Sequence, residues 1–286
     1  MSGQPDIAVV TVAYHSAELM PAFASSLRAA TTAPFEAYVA DNSEGADTSL
    51  SAVVAAEPGL QLVPMPRNLG YGGAVNEIAR RLDDNIRWIL VVNPDVTFGP
   101  GSIDVLRAAV DEHPRAAQFG PRILTADGHT YPSARRLPSL RDGIGHALFF
   151  RVWPKNPWSR RYLDAPESYE RQRQAGWLSG ACLLIRRSAF DEVGGFSSEY
   201  FMYFEDVDLG KKFGERGYES VFVPSAVVSH LGAHATSQSS ARMIRVHHES
   251  AYTYLAAKYH AWYLWPLRAA LRVGLWLRLA LTTRNG

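Results

Sequence analysis

The amino-acid sequence predicts an α/β fold, with a doubly wound, mostly parallel central sheet flanked by helices. Apolar, β-branched runs alternate with segments of helical periodicity through the N-terminal third of the chain. The runs are apolar at consecutive positions, which is typical of strands buried on both faces of a parallel sheet. Polar residues also stand where three of these strands end, and ligands bind at that edge of such a sheet.

The predicted elements follow one another closely along the chain. Strands are expected at Ile7–Ala13, 35–40, 60–63 and Trp88–Val92, with helices at 16–30, 47–56 and 70–82 between them. Further strand-like patterns lie at 176–185 and 221–228. The polar strand ends are residues 14–16, 41–42 and 93–95. We expect these three strand ends to lie close together.

Composition limits the classes of function. The 286 residues are 47% hydrophobic and 20% charged, as in a globular protein, and the formal net charge is +1. No overall field attracts the chain to nucleic acid, so no nucleic-acid partner is expected. Cys182 is the only cysteine, which excludes an intrachain disulfide and a cysteine-based zinc site and fits a reducing, cytoplasmic compartment. The N-terminus lacks the pattern of a secretory signal.

Residues 131–175 are rich in arginine, proline and tryptophan and show weak periodicity. We interpret them as a long excursion with a functional role, and a merely solvated loop is the alternative. The basic residues of this basic excursion are Arg135, Arg136, Arg141, Arg151, Lys155, Arg160, Arg161, Arg171 and Arg173.

The C-terminal segment 262–281 is apolar but interrupted by Arg268, Arg272 and Arg278. On a helical wheel these arginines fall within about a third of the circumference, while leucine, valine and tryptophan fill the rest. This composition is typical of a helix that lies in a membrane interface. The alternative is a helix docked on the protein whose arginines extend to solvent.

Three carboxylates, Glu205, Asp206 and Asp208, directly follow the aromatic residues 200–204. Carboxylates beside aromatic rings tend to be desolvated, which raises the pKa toward a range useful for proton transfer. A helix N-terminus also favours acidic residues, so the cluster is either catalytic or simply the start of a helix.

A nucleotide diphosphate at the sheet edge would find suitable groups in this sequence. Asp41 and Asp95 end two strands, and Mg²⁺ or Mn²⁺ takes carboxylate and phosphate oxygens as ligands. The glycines of residues 67–73 allow close approach of the backbone at a helix start, where an anion is favoured. Asp41 and Asp95 could instead be turn residues, and the glycines could simply mark the start of a helix. The segment is neither a dinucleotide fingerprint nor a Walker loop.

A histidine also follows a predicted strand, at His230. A lone histidine of this kind is more often structural than a ligand. The rivals for a ligand role are His234, His247 and His248, and spacing does not decide between them.

Taken together, the motifs resemble those of the inverting family-2 glycosyltransferases with a GT-A fold, within them the rhamnosyltransferase branch. The matching stretches are VTVAY at 10–14, VADNS at 39–43, RNLGYGGAVN at 67–76, LVVNPD at 90–95, GWLSGA at 176–181 and FMYFEDVD at 201–208, followed by His230. The resemblance covers about residues 6–235, and the ordered series is far more specific than any single motif.

The resemblance implies a role for each matching residue. Asp206 matches the catalytic base, and Asp95 with His230 matches the metal ligands, for Mg²⁺ or Mn²⁺. Asn93 stands where the family's acidic motif begins with aspartate, which leaves the metal fewer carboxylates. Residues implied at the nucleotide sugar are Thr11, Ala13, Tyr14, Asp41, Arg67, Gly70, Asn93 and Asp95. Residues implied at the sugar and acceptor are Trp177, Ser179, Gly180, Glu205 and Asp208.

The same resemblance implies transfer of L-rhamnose from dTDP-L-rhamnose to a polyprenyl-diphosphate-linked N-acetylglucosamine, in synthesis of the arabinogalactan linker of a cell wall. We expect a transferase domain at 1–240, divided into a nucleotide-binding half at 1–100 and an acceptor half at 101–240. A helical, membrane-associating tail would follow at 241–286. The protein would then lie at the cytoplasmic face of the plasma membrane as a peripheral protein. The sequence leaves the oligomeric state open, a homodimer included.

Three other functions compete with this one. A transferase of another sugar, such as galactofuranose from UDP-galactofuranose, would carry the same motifs, because donor choice depends on the shape of the pocket. A non-catalytic nucleotide-sugar-binding scaffold would be free to lose Asp95, Asp206 and His230, which are present. A nucleotidyltransferase would need a basic, glycine-rich loop after the first strand, and residues 14–16 are not one.

Overall fold

The structure is a computed structural model that describes residues 4–140, 169–232 and 240–284. Of the residues considered above, Arg141, Arg151, Lys155, Arg160, Arg161 and His234 lie outside the described residues.

The order of elements agrees closely with the predicted alternation. The strands are β1 Ile7–Ala13, β2 Phe35–Asp41, β3 Leu60–Pro64, β4 Trp88–Val92, β5 Val96–Phe98, β6 Ala116–Leu124, β7 Thr130–Tyr131, β8 Ala134–Arg135, β9 Arg173–Ala175, β10 Trp177–Leu178, β11 Cys182–Arg186 and β12 Glu219–His230. The α-helices are α1 Met20–Ala30, α2 Leu50–Ala56, α3 Gly70–Ala79, α4 Ser102–Glu112, α5 Arg187–Glu192, α6 Glu205–Glu215, α7 Ser240–Lys258 and α8 Trp265–Arg284. Short 3₁₀ turns precede α1, at Ala17–Leu19, and α8, at Trp262–Leu264.

One large sheet has the strand order β3-β2-β1-β4-β11-β6-β12-β5. The first four strands run parallel, and β1 pairs in register with both β2 and β4. Strand β11 then joins antiparallel to β4 and to β6, so the second half of the sheet is mixed. The predicted α/β class is confirmed, with parallel pairing concentrated in the N-terminal half. This arrangement brings the carboxyl ends of β1, β2 and β4 to one edge.

Strand β1 shows why the parallel half forms from continuous apolar runs. Each of its seven residues is buried, because helices cover both faces of the sheet. Ala8, Val10 and Val12 belong to the core on one face, with Val75 and Ile78 of α3. On the other face, Ile7 and Val9 belong to the core that contains Phe23 and Leu27 of α1.

Helix α7 corresponds to the start of the helical tail expected at 241–286, and it packs against the preceding part of the chain. Tyr254 of this helix is 1% exposed and packs with Tyr200 and with Val207, which lies between Asp206 and Asp208 of the acidic cluster. The division of the chain near residue 240 stays a prediction, but the structure places the first tail helix against the predicted catalytic segment.

Helix α8 packs against the protein, as in the docked alternative considered for the C-terminal segment. Its partly buried leucines, Leu267, Leu271 and Leu275, recur every four residues on the side that packs against α7. Two arginines also contact the protein. Arg268 donates to the carbonyl oxygens of Tyr259 and Ala261 at 2.9 Å, and the Arg272 guanidinium lies 5.5 Å from the centre of the Tyr252 ring.

The outer side of this C-terminal segment is apolar and aromatic. The exposed side chains are Trp262, Tyr263, Trp265, Val273, Trp276 and Leu277, of which the two helical tryptophans are 63% and 64% exposed. Within the ranges that the structure describes, no helix has the length and apolar character needed to cross a membrane. The segment is therefore a docked helix with an aromatic outer surface.

Candidate active site

Asn42 joins the end of β2 to the glycine-rich turn before α3. Its Nδ2 donates to Asn68 Oδ1 at 2.9 Å, and its Oδ1 accepts from the backbone N–H of Leu69 at 2.9 Å. The neighbouring carboxylate of Asp41 accepts from the backbone N–H and the hydroxyl of Ser43 at 2.9 and 2.6 Å. These hydrogen bonds place the turn at the carboxyl edge of the parallel strands.

Gly70 opens α3 in a position that only glycine can occupy. Its φ of +72° is left-handed, and a Cβ built at this residue would lie 2.1 Å from the carbonyl oxygen of Phe201. The same oxygen accepts from the backbone N–H of Tyr71 at 3.1 Å. The start of α3 is thus in direct backbone contact with the aromatic segment before the acidic cluster. In this structure the absence of a side chain at Gly70 permits that close approach. Its role toward a nucleotide stays a prediction.

The other residues predicted at the nucleotide differ in exposure. Thr11 and Ala13 are buried within β1, and the Thr11 hydroxyl has no hydrogen-bond partner in the described part of the chain. Tyr14 is 42% exposed and Arg67 is also exposed, so both lie at the protein surface. Their roles toward a nucleotide stay predictions.

The predicted metal ligands come together although they lie far apart in sequence. His230 Nε2 is 3.0 Å from Asp95 Oδ1 and 3.2 Å from Asn93 Nδ2. Strand β12 brings His230 there, because it pairs antiparallel with β5 and sets His230 opposite Val96. Burial alone would raise the pKa of Asp95. The hydrogen bond and charge of His230 and the backbone N–H of Gly232 outweigh burial, so the pKa of Asp95 is lowered and the carboxylate is ionised.

The donor set at this position suits a divalent cation that also binds phosphate. Asp95 offers carboxylate oxygens and His230 an imidazole nitrogen, a combination that Mn²⁺ and related cations accept. Among the described residues, no group of three or more His, Cys, Asp or Glu side chains converges. The remaining ligands of a bound cation would therefore come from a diphosphate and from water, as is common for Mg²⁺ at phosphate sites.

Asp206 lies in the first turn of α6 and is oriented by two backbone donors. Its Oδ2 accepts from the N–H of Gly180 at 2.9 Å, and its Oδ1 accepts from the N–H of Val207 at 2.8 Å. Burial raises the pKa of Asp206 above its ordinary value, while these donors oppose that rise. The carboxylate is thus held in one orientation in a partly dehydrated site, as proton abstraction requires.

Glu205 lies beside Asp206 but has different surroundings. It is 7% exposed, and its Oε2 has no hydrogen-bond partner within the described residues. Burial, together with the charge of Asp206, raises the pKa of Glu205 to about 8. Two neighbouring buried carboxylates rarely ionise together. Because Asp206 has the backbone donors, we assign the negative charge to Asp206 and the proton to Glu205 at neutral pH.

Tyr71 links the acidic cluster to the candidate metal ligands. Its hydroxyl donates to the carbonyl oxygen of Gly180 at 2.8 Å, next to the N–H that holds Asp206. Burial raises the pKa of Tyr71 well above its ordinary value, and the neighbouring acids of the cluster and Asp95 raise it further. The predicted base, Asp206, and the predicted metal ligand, Asp95, therefore both lie near Tyr71.

The residues predicted at the acceptor are held by the chain around β8 and β10. Trp177 Nε1 donates to the carbonyl oxygen of Arg136 at 3.1 Å, and the Arg135 guanidinium lies 5.9 Å from the Trp177 ring centre. Ser179 donates its N–H to the carbonyl oxygen of Ser133 at 2.7 Å. The charge of Arg135, in the basic excursion, favours an ionised Asp206.

Asp208 points along its own helix, with its Oδ2 at 3.3 Å from Lys212 Nζ. The roles of Glu205 and Asp208 toward an acceptor stay predictions.

Several residues of this site were not singled out by the sequence patterns. Asn42 and Tyr71 lie inside the matching motifs, so position within a motif was the available signal. Tyr203 and Phe204 both adopt φ of +66°, a left-handed conformation that costs each residue about 1–2 kcal/mol. No local pattern reveals this conformation, because neither residue is a glycine or an asparagine.

Comparison with known proteins agrees with the geometry. The family model described as "Glycosyltransferase like family 2" matches residues 5–248. The chain is 45% identical to N-acetylglucosaminyl-diphospho-decaprenol L-rhamnosyltransferase of Mycobacterium tuberculosis (strain H37Rv), over 97% of this chain and 92% of that protein. It is 30% identical to rhamnosyltransferase WbbL of Escherichia coli (strain K12), over 64% of this chain and 66% of that one.

Solved structures show the same fold at low sequence identity. The mannosyltransferase PcManGT from Pyrobaculum calidifontis, in complex with GDP-Man and Mn²⁺, aligns with a TM-score of 0.54 and 18% identity. The alignment covers 100% of this chain and 80% of that one. The structural neighbours are glycosyltransferases of the GT-A fold, which confirms the predicted architecture.

The contact at Gly70 predicts that Gly70→Ala destabilises the protein more than an ordinary left-handed glycine would. Gly128→Ala is the matched control, because Gly128 has φ +80° and no atom of the described residues lies within 4 Å of a built Cβ. The control should lower the free energy of unfolding by about 1 kcal/mol, from backbone strain alone. Gly70→Ala should lower it by clearly more, measured by denaturant unfolding. Equal losses would contradict the close contact with Phe201.

The raised pKa of Glu205 predicts a pH-dependent cost to stability. The pKa of Glu205 in the folded state lies above the ordinary value of 4.5. The stability that the protonated side chain contributes is therefore fully present below pH 4.5 and is lost as pH rises through about 8. Glu205→Gln cannot ionise, so its Tm should exceed that of the wild type by an amount that grows from pH 4.5 to 8. Glu199→Gln, on the exposed surface, is the control and should show no such trend. A constant Tm difference would refute the protonated Glu205.

Proposed function

This chain belongs to glycosyltransferase family 2, and from that membership we propose that it transfers L-rhamnose from dTDP-L-rhamnose to a polyprenyl-diphosphate-linked N-acetylglucosamine. The chain is an enzyme, a glycosyltransferase. The proposed donor sugar and acceptor rest on the similarity to the mycobacterial rhamnosyltransferase, which extends over nearly the whole of both chains. The E. coli relative is also a rhamnosyltransferase.

The observation that carries the chemistry is the orientation of Asp206 by Gly180 N–H and Val207 N–H. An acceptor hydroxyl is a poor nucleophile at neutral pH, so a positioned carboxylate has to accept its proton as the new bond forms. Asp206 is ionised and fixed, while its neighbour Glu205 retains a proton. Attack in one step inverts the anomeric centre, so a β-linked donor gives an α-rhamnoside. No covalent enzyme intermediate is required.

Asp95 and His230 are the residues that would hold a divalent cation, with Asn93 beside them. When bound, Mg²⁺ or Mn²⁺ neutralises the charge that develops on the departing diphosphate. The start of α3 lies at the same edge of the sheet. Its N–H groups at Leu69, Gly70 and Tyr71 already donate within the protein, so its contribution toward phosphate is the positive end of the helix dipole. Tyr71, which contacts Gly180, keeps the acceptor-side carboxylate close to this region.

The proposed acceptor has a lipid tail, which agrees with the surface of the C-terminal segment. The exposed aromatic surface, defined by Trp262, Tyr263, Trp265, Val273, Trp276 and Leu277, has the composition of a membrane-interface helix. In this structure Arg268 and Arg272 contact α7 and its C-terminal extension, so insertion would rely on the aromatic side. We propose peripheral attachment at the cytoplasmic face of the membrane, where the nucleotide sugar would be available.

Transfer can be measured with dTDP-L-rhamnose and a short-chain prenyl-diphosphate-N-acetylglucosamine. Wild-type protein should form one α-rhamnoside, and UDP-galactofuranose should give no product. Asp206→Asn should lower kcat by about 10²- to 10⁴-fold, because the amide cannot accept the proton. It should still bind dTDP in the presence of Mn²⁺. Asp111→Asn, on the exposed side of α4, is the matched control and should keep wild-type kcat.

Two results would reject parts of this proposal. Product from another nucleotide sugar, with none from dTDP-L-rhamnose, would reject the donor. Near-normal turnover by Asp206→Asn would reject Asp206 as the base.

Membrane attachment can be tested by placing charge on the exposed aromatic surface. Trp265→Glu/Trp276→Glu should reduce binding to anionic lipid vesicles at least about tenfold, because two apolar anchors become charged. Its kcat with a short, soluble acceptor should be unchanged. Ala22→Glu/Ser25→Glu adds the same charge to exposed positions of α1 and is the control for net charge. If both double variants bind vesicles like the wild type, the aromatic surface is not the attachment site.

A further inference from the structure

We propose that helix α7 positions the catalytic carboxylate, with Ser250 and His247 as positioning residues that hold the backbone immediately before Glu205 and Asp206. The proposal rests on the function proposed above for Asp206 as the base. It gives α7 a role in the reaction on the acceptor side, beyond the role of a linker between the transferase fold and the membrane surface.

The backbone before Asp206 adopts an unfavourable conformation. Tyr203 and Phe204 are consecutive left-handed residues, each at φ +66°, and Phe204 is the residue that caps α6. Bulky aromatic residues rarely adopt this conformation, and it persists only where surrounding contacts enforce it. The direction in which α6 begins, and therefore the position of Asp206, depends on this pair.

Ser250 contacts the chain at the point where this conformation begins. Its Oγ donates to the carbonyl oxygen of Met202 at 2.8 Å, and the residue is 5% exposed. This carbonyl belongs to the peptide that enters Tyr203, so the hydrogen bond restrains the plane of that peptide. A buried hydrogen bond of this kind is costly to lose, because the carbonyl oxygen is then without a partner.

His247 and Tyr254 hold the side chains of the left-handed pair. The His247 ring centre lies 5.3 Å from that of Tyr203 and 5.6 Å from that of Phe204, with edge-on geometry in both cases. Tyr254 lies 5.7 Å from the Phe204 ring and packs between Tyr200 and Val207. His247 and Tyr254, two turns apart on α7, thus both contact the left-handed pair, and His247 contacts both of its members.

The opposite side of the same segment is held by α3. The carbonyl oxygen of Phe201 accepts from Tyr71 N–H at 3.1 Å, where Gly70 leaves no room for a side chain. Residues 201–204 are therefore clamped between α3, at the nucleotide edge, and α7, from the C-terminal part of the chain. Removal of one side of the clamp should let the left-handed pair relax and displace Asp206 from Gly180 N–H.

The test compares Ser250→Ala with Ser250→Thr, which keeps the hydroxyl, and with Arg245→Ala, an exposed position of the same helix. Ser250→Ala should lower kcat by between about tenfold and about a hundredfold, the cost of a misplaced catalytic group. The Kd for dTDP with Mn²⁺ should not change, because the nucleotide edge is held by other contacts. Ser250→Thr should restore most of kcat, and Arg245→Ala should match the wild type.

A second comparison separates positioning from a general loss of stability. Glycine adopts the left-handed conformation without strain, so in a Tyr203→Gly background the loss of the Ser250 hydroxyl should reduce kcat by a smaller factor. An unchanged kcat in Ser250→Ala would overturn the proposal. A loss of dTDP affinity in Ser250→Ala that parallels the loss of kcat would also overturn it. So would an equal reduction of kcat by Ser250→Ala in the wild-type and Tyr203→Gly backgrounds. Failure of Asp206→Asn to lose activity would instead overturn the proposed base, whatever the Ser250 variants show.

Discussion

The close backbone contact between Gly70 and the carbonyl oxygen of Phe201 is the constraint on which the rest of the site depends. It joins the start of α3, at the nucleotide edge, to the segment that leads into the acidic cluster. A side chain at residue 70 would separate these two elements. Because they touch, Tyr71 can hydrogen-bond to Gly180, whose N–H in turn holds Asp206. One missing Cβ therefore allows a chain of contacts from one half of the protein to the other.

The acids of the site are distinguished by their hydrogen-bond donors more than by their burial. Asp95 is ionised because His230 and Gly232 N–H outweigh the cost of burial. Asp206 has two backbone donors, whereas one Glu205 oxygen has no partner among the described residues and Glu205 retains a proton. Three similar carboxyl groups thus fall into two states, with Asp95 and Asp206 ionised and Glu205 protonated. Such a division suits a reaction that needs one ionised base near a separate group of ligands for a cation and a diphosphate.

Prediction from sequence succeeded where the local residue pattern and the burial of the segment both require apolar residues. The bounds of β1 and β4 were predicted to the residue, because both strands are buried on both faces and every position except Thr11 is apolar. Strands β5 and β6 and helix α4 were not predicted from their patterns. Helix α7 corresponds to the start of the expected helical tail, but no pattern predicted where it docks, since its buried residues, such as Ser250 and Tyr254, are not a simple apolar stripe. In the tail, the wheel placed the arginines together but could not show that Arg268 and Arg272 contact the protein.

The sequence by itself determined the α/β class, the parallel order of the first strands and the motifs that place this chain among the family-2 glycosyltransferases. These follow from runs of apolar residues and from short motifs, which are local properties of the chain. Only the tertiary structure decided which acid carries the charge, why Gly70 has to be glycine, and that α7 lies against the segment before Asp206. Each of these depends on groups more than twenty residues apart, such as Gly180 with Asp206 and Ser250 with Met202. Hydrogen bonds and burial between distant residues leave no periodic trace in the sequence.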